Sequence, residues 1–126
     1  YTLNSILISF LPTLLSLIFF TMGAYVIAKY EFPGKKLFFA LFTMTLLVPV
    51  HSRTQPIFSL IVNLNLYNTK TGLMLVYLSS GLAMSMFILK NAFQSIPMEL
   101  NESANLDGAG FCRTFFSINL PLPRPE

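Results

Sequence analysis

From Tyr1 to Ala28 the chain carries no charged side chain, and Leu3, Ile6, Leu7, Ile8, Phe10 and Leu11 open an apolar run that continues to Phe19 and Phe20. A helix needs about 20 such residues to cross roughly 30 Å of hydrocarbon. The run is therefore expected to be a membrane span over residues 3–28. Pro12 is its expected kink, because a proline ring removes one backbone hydrogen bond of a helix. A secretory signal peptide is the rival reading, but such peptides place positive charge ahead of a shorter apolar core. No charge precedes this one.

The remaining residues extend the same reading. With 54% hydrophobic and 10% charged residues and a mean hydropathy of +0.65, the chain as a soluble domain would expose too much apolar surface. Its 126 residues accommodate a few spans and their connections, with no room for a large soluble domain beside them. The first residue lies inside an apolar run and Arg124-Pro125-Glu126 follow closely on Leu120-Pro121, so the chain reads as a segment of something longer.

A second span is expected over residues 36–52. Its apolar core from Leu37 to Val50 gives only about 21 Å of helix, with Lys35 and Lys36 snorkelling to extend it. Pro49, His51 and Arg53 are expected to stop that helix, and the run from Ile57 to Leu66 is too short to cross again, which suits an interfacial or re-entrant segment. Between Lys70 and Lys90 lie 19 uncharged residues, about 28 Å of helix, giving a third span over residues 71–90. Lys29, Lys35 and Lys36 crowd the short turn between the first two spans, whereas Arg53 and Lys70 are spread over the next connection. The positive-inside rule then puts that turn, Lys90, and the tail with Arg113 and Arg124 on the cytoplasmic side.

The tail from about residue 95 to 121 is polar and patterned. Pro97 suits the first turn of a helix, where its missing N–H costs nothing, and Glu99 complements the positive end of the helix dipole. The helix is expected to run through Glu102, Ser103 and Ala104 and to stop at Asp107-Gly108, because glycine accepts the left-handed conformation that closes helices. Beyond the stop, Phe111, Phe115 and Ile118 fall at i, i+4 and i+7 on one face, with Arg113, Thr114 and Ser117 on the other. Two short helices hinged at a glycine fit a cleft of another protein. An ordinary loop lying on the membrane surface satisfies the same physics.

Glu102-Ser103-Ala104, Gly108, Ile118 and Leu120-Pro121 stand at the spacing of the EAA loop of binding-protein-dependent ABC transporter permeases, which this stretch resembles. The match holds at six of seven positions, and Ser103 is the departure, where the pattern has alanine. Asp107-Gly108-Ala109 and Pro125 resemble the carbohydrate branch that includes maltose-type permeases. Tyr25 to Lys36, and Leu66-Tyr67-Asn68-Thr69 with Gly72-Leu73, are similar to further passages of that branch, so the resemblance covers nearly the whole chain.

The resemblance implies an all-α polytopic membrane helical bundle, part of a type I ABC importer permease, with about three transmembrane helices and a cytoplasmic coupling loop. It implies a multi-pass protein of a bacterial inner membrane, surrounded by lipid, that forms half of a sugar pathway. The implied partners are a second permease subunit, a dimer of cytoplasmic ATP-binding cassette ATPases, and an extracytoplasmic substrate-binding protein. Glu102, Ser103, Ala104, Asp107, Gly108, Ala109, Ile118, Leu120 and Pro121 would be the ATPase-coupling residues, with Glu102 paired to a basic residue of the ATPase and Gly108 setting the angle between two helices.

Other residues admit plainer readings. Ser79, Ser80, Gly81 and Ser85 either pack against another helix, Gly81 and Ser85 as a small-xxx-small pair, or present hydroxyls to sugar. Asn63, Asn65 and Asn68 read as turn formers, and His51 and Arg53 as membrane-edge anchors. Cys112 is the sole cysteine, which leaves no internal disulfide or cysteine metal cluster, and it reads as filler. At the Gly34-Lys35 pair, Lys29 stands where a phosphate loop needs its first glycine. No cofactor, catalytic residue or nucleic-acid partner is expected. A lipid-acting membrane enzyme would need grouped acid, base or metal-binding residues, and Glu99, Glu102 and Asp107 have no nearby histidine to complete a site. A membrane scaffold remains the other alternative.

Overall fold

A computed structural model describes residues 1–121, and within them every regular element is a helix. Arg124 and Pro125 lie outside the described residues. The first helix, α1, runs from Thr2 to Lys29 without interruption at Pro12. The expected kink therefore does not divide it, and it is the one helix among the described residues that is long and apolar enough to cross a membrane unaided.

The next two apolar runs are both broken. After Gly34, held at φ 84°, α2 covers Lys35–Leu47, and it stops at Val48 ahead of Pro49, whose nitrogen has no hydrogen to donate. A new helix, α3, starts at once and spans Val50–Asn63 at 110° to α2. His51 and Arg53 thus lie in the first turn of α3 and do not end α2; Pro49 alone marks the break. Asn65 and Asn68 take positive φ of 57° and 56° in the turn that follows, the conformation asparagine tolerates best after glycine.

Thr69 caps α4 (Lys70–Ser79) by accepting a hydrogen bond from the Gly72 N–H at 3.1 Å. The continuous helix expected over 71–90 is instead interrupted at Ser80-Gly81, where Gly81 adopts φ 77°, and α5 (Leu82–Gln94) continues at 41° to α4. Gly81 is the cap residue of α5, and the Ser85 N–H donates to its carbonyl at 2.9 Å, so the pair sits together at the start of α5 rather than inside one continuous span. Taken as bent spans, α2 with α3 and α4 with α5 add two further crossing candidates to α1.

The packed core lies at one end. Phe20, Ala24, Tyr25 and Ile27 from the last third of α1 meet Met86, Phe93 and Ile96 from α5 and its exit, together with Phe115. Gly23 allows the approach, since a Cβ there would lie 3.2 Å from the Met86 methyl. By contrast α2 and α3 bury no residue, and Leu3, Phe10, Leu17 and Leu41 stand exposed, a surface suited to hydrocarbon rather than water.

Candidate functional site

The buried end of the bundle holds the tail. Pro97 precedes α6 (Met98–Leu106) as its cap residue, one position ahead of the expected first turn, and Glu99 lies in that first turn. Residues three apart share a helix face, so Asn101 and Ala104 both turn inward and are buried. Glu102 and Ser103 face outward, as do Asp107 and Leu106, the last 89% exposed.

Gly108 closes α6 with φ 75°. Its N–H donates to the Asn105 carbonyl at 3.1 Å, and the Ala109 N–H donates to the Ala104 carbonyl at 2.9 Å. This crossed pair is the glycine-terminated helix stop that satisfies the last free carbonyls. Ala104 is thus a packing and closing residue, while Glu102 and Ser103 stay exposed, the Ser103 hydroxyl donating to the Glu99 carbonyl at 2.8 Å.

Past Gly110, α7 covers Phe111–Thr114 and passes directly into a widened π-helical turn, Phe115–Asn119. The Leu120 N–H reaches back five residues to the Phe115 carbonyl at 2.9 Å. The wider turn shifts the register. The expected amphipathic face of Phe111, Phe115 and Ile118 is corrected accordingly: Thr114, Phe115 and Asn119 are buried, Ile118 is half-buried and Phe111 is at the rim. Leu120 and Pro121 are exposed, Ala109 is half-buried, and Cys112 is exposed rather than filling space.

Tyr25 of α1 is the fully buried centre of this end. Its ring lies 5.6 Å from that of Phe93, 5.5 Å from Phe111 and 5.1 Å from Phe115. Contacts of this kind add about 0.5–1.5 kcal/mol each beyond area burial. The Tyr25 hydroxyl accepts from Asn119 Nδ2 at 3.3 Å and from Asn101 Nδ2 at 3.5 Å. Asn119 Nδ2 also donates to Asn101 Oδ1 at 2.8 Å and to the Thr114 carbonyl at 3.1 Å. Asn119 Oδ1 and Thr114 Oγ1 are buried without partners among the described residues. Nearby, Lys29 Nζ donates to the Ile96 carbonyl, tying the end of α1 to the exit of α5.

Sequence reasoning assigned no role to Tyr25, Asn101 or Asn119. The available signal was polar: an asparagine three residues before Ala104 on its inward face, and another between Ile118 and Leu120. On the neighbouring turn Lys35 bonds Glu31 at 2.8 Å and holds its carboxyl below the usual glutamate range.

The small residues of the broken helix lie elsewhere. Ser79, Ser80 and Gly81 are exposed and Ser85 is half-buried, with the Ser79 hydroxyl donating to the Val76 carbonyl at 3.0 Å. Ser80 borders a cavity of about 480 Å³ with Tyr77 and with Ser9, Thr13 and Ser16 of α1. Those three hydroxyls, at i, i+4 and i+7, were overlooked inside the apolar run although their spacing marks one helix face. A larger groove of about 1120 Å³, bordered by Phe42, Arg53, Leu73 and Ser79, also reaches Ser80. Among the described residues no three His, Cys, Asp or Glu side chains form a metal-binding group.

Residues 3–125 match the family described as binding-protein-dependent transport system inner membrane component. The chain is 38% identical to a diacetylchitobiose uptake system permease protein of Streptomyces coelicolor, over 99% of this chain and 41% of that protein. It is 39% identical to an sn-glycerol-3-phosphate transport system permease protein of Yersinia pestis, over 97% of this chain and 43% of that protein. It is 36% identical to a galactooligosaccharides transport system permease protein of Bacillus subtilis, again over 97% and 43%. The chain spans about two fifths of the length of these relatives.

Proposed function

Because the chain belongs to the family of binding-protein-dependent transport system inner membrane components, we propose that it is part of a permease subunit of an ATP-driven importer for a saccharide or a similar polyol. The relatives are named for uptake of an amino-sugar disaccharide, a polyol phosphate and galactooligosaccharides, which supports that substrate class. The subunit forms half of the pathway beside a second permease subunit within the lipid bilayer. An extracytoplasmic binding protein delivers the solute, and a dimer of cytoplasmic ATP-binding cassette ATPases supplies the work.

The observation that carries the reading is the two-faced α6 helix. Its inner face, Asn101 and Ala104, is held by the bundle, while Glu102 and Ser103 stand outward and Gly108 turns the chain away beneath them. An element meant to receive a push from another protein needs those two properties together: an accessible outer surface and a rigid attachment behind it. Glu102 supplies the charge for a basic residue of the ATPase, and Ser103 keeps the approach as close as alanine would, within one oxygen atom. The basic turn at Lys29, Lys35 and Lys36 supports a cytoplasmic position for this end.

Hydroxyl groups in hydrocarbon are costly unless they are hydrogen-bonded. Thr13 and Ser16 meet that need by donating to the Ser9 and Thr13 carbonyls of α1 at 2.6 and 2.8 Å, which leaves their oxygen lone pairs free to accept from a solute or a neighbouring helix.

The test is Gly108→Val in the full-length subunit, assembled with its partners in proteoliposomes. No atom lies within 4 Å of a Cβ built at this position, so the substitution acts through φ alone. Forcing a β-branched residue to φ 75° costs about 1–3 kcal/mol locally and re-aims the outer face of α6. The expected result is ATP hydrolysis with little solute uptake, and near-normal uptake for Gly108→Asn. Normal uptake by the valine variant would count against the assignment.

A further inference from the structure

We infer that Tyr25, Asn101 and Asn119 are positioning residues that fasten the docking helix α6 to the end of span α1, so that the two move as one rigid body when the ATPase acts. The inference rests on the transport reading and adds the connection through which force would leave α6.

One amide joins α6, its own turn and the distant α1. Asn119 Nδ2 contacts Asn101 Oδ1 on α6, the Thr114 carbonyl in its own turn and the Tyr25 hydroxyl on α1, the last from 94 residues away. Asn101 reaches the same hydroxyl across 76 residues. Tyr25 and Asn119 are both 0% exposed and Asn101 is 6% exposed, so water does not compete for these bonds. The π-helical turn is what brings Asn119 to this place, because the i+5 closure at Leu120 swings it inward.

The network is poorly suited to stability alone. Among the described residues Asn119 Oδ1 and Thr114 Oγ1 have no partner, and a partly satisfied buried network is inferior to an apolar core of the same shape. What it supplies is direction. Apolar side chains can slide past one another with little change in contact, whereas an amide shared among three acceptors fits one relative placement of α1, α6 and the turn. Buried polar groups used in this way set register at some cost in stability. Tyr25 adds ring contacts to Phe93, Phe111 and Phe115 around the same hydroxyl, so the fixed point is enclosed on several sides.

The test uses the full-length subunit in its complete complex, with Cys112→Ser to remove the exposed thiol and spin labels at Leu106→Cys on α6 and Leu17→Cys on α1. Both positions are exposed and lie outside the network. Pulsed electron spin resonance then reads the distance between them without nucleotide and with ATP-vanadate. A single narrow distribution, the same in both states, is expected. Tyr25→Phe, Asn119→Leu and the double variant should broaden it, and should lower galactooligosaccharide uptake per ATP hydrolysed by about fivefold or more. The double variant is expected to be no worse than the worse single, because each breaks the same unit.

If Asn119→Leu does not assemble, Tyr25→Phe, which keeps the ring, carries the test. A distance that changes with nucleotide in the parent, or a distribution and uptake ratio unaltered by Tyr25→Phe, would overturn the inference. A full-length protein that retains no ATPase through purification would instead overturn the transport reading, while the nucleotide-free distance distribution still reports on the fastening itself.

Discussion

At Gly72 a side chain would collide with the Leu66 carbonyl oxygen, whereas at Gly108 the space is open and only the backbone conformation resists a Cβ. The two glycines therefore respond differently to substitution. Gly72→Ala is expected to displace the Leu66 turn and destabilise the subunit by about 3 kcal/mol, read as a lower unfolding temperature in detergent. Gly108→Ala is expected to cost only about 1–2 kcal/mol, since the left-handed conformation is its sole penalty. Equal losses at the two positions would contradict this division. Gly108 was legible in the sequence because Asp-Gly after a helix pattern signals a stop, and a stop is a local event. Gly72 and Asn101 were not, because their constraint comes from atoms that only folding brings near. Glu102 and Ser103 were legible as a motif, but which of the three motif residues faces outward depended on Asn101 and Ala104 finding Tyr25 and the core.

The breaks matter more than the helices at the scale of elements. Hydropathy sums over a window and is insensitive to a single glycine, so residues 71–90 read as one span although Gly81 ends α4 and starts α5 at 41°. In hydrocarbon a broken helix must still satisfy its backbone. The Ser80 N–H does so by donating to the Val76 and Tyr77 carbonyls at 3.1 and 3.2 Å. Gly81→Ala is expected to cost about 1 kcal/mol or more by opposing φ 77°, whereas Ser80→Ala keeps those bonds and should be close to neutral. Thermal unfolding of the two variants in the same detergent checks the contrast, and an equal shift would show that the break does not depend on the glycine. The π-helical turn is a second such break. No sequence period announces it, and it turned the expected polar Thr114 inward and made Asn119 part of the core.

For the whole molecule, the core at one end and the bare apolar surface elsewhere define a bundle finished near α6 and open along α2 and α3. The proposed orientation has a direct check in Cys112, the only cysteine of these residues and an exposed one. A membrane-impermeant maleimide is expected to modify it in inside-out vesicles and not in intact cells, as read by mass spectrometry of its peptide. Labelling from outside would invert the topology. The helical class, the membrane setting, the family and the position of the glycine stop all follow from the sequence by itself, because each rests on composition or on neighbours within a turn or two of helix. The tertiary structure alone decided which face of α6 is free, where the apolar runs bend, and that Tyr25, Asn101 and Asn119 meet. Those outcomes depend on contacts between residues as many as 94 positions apart, and a hydrogen bond between such residues has no signature in the local pattern of either.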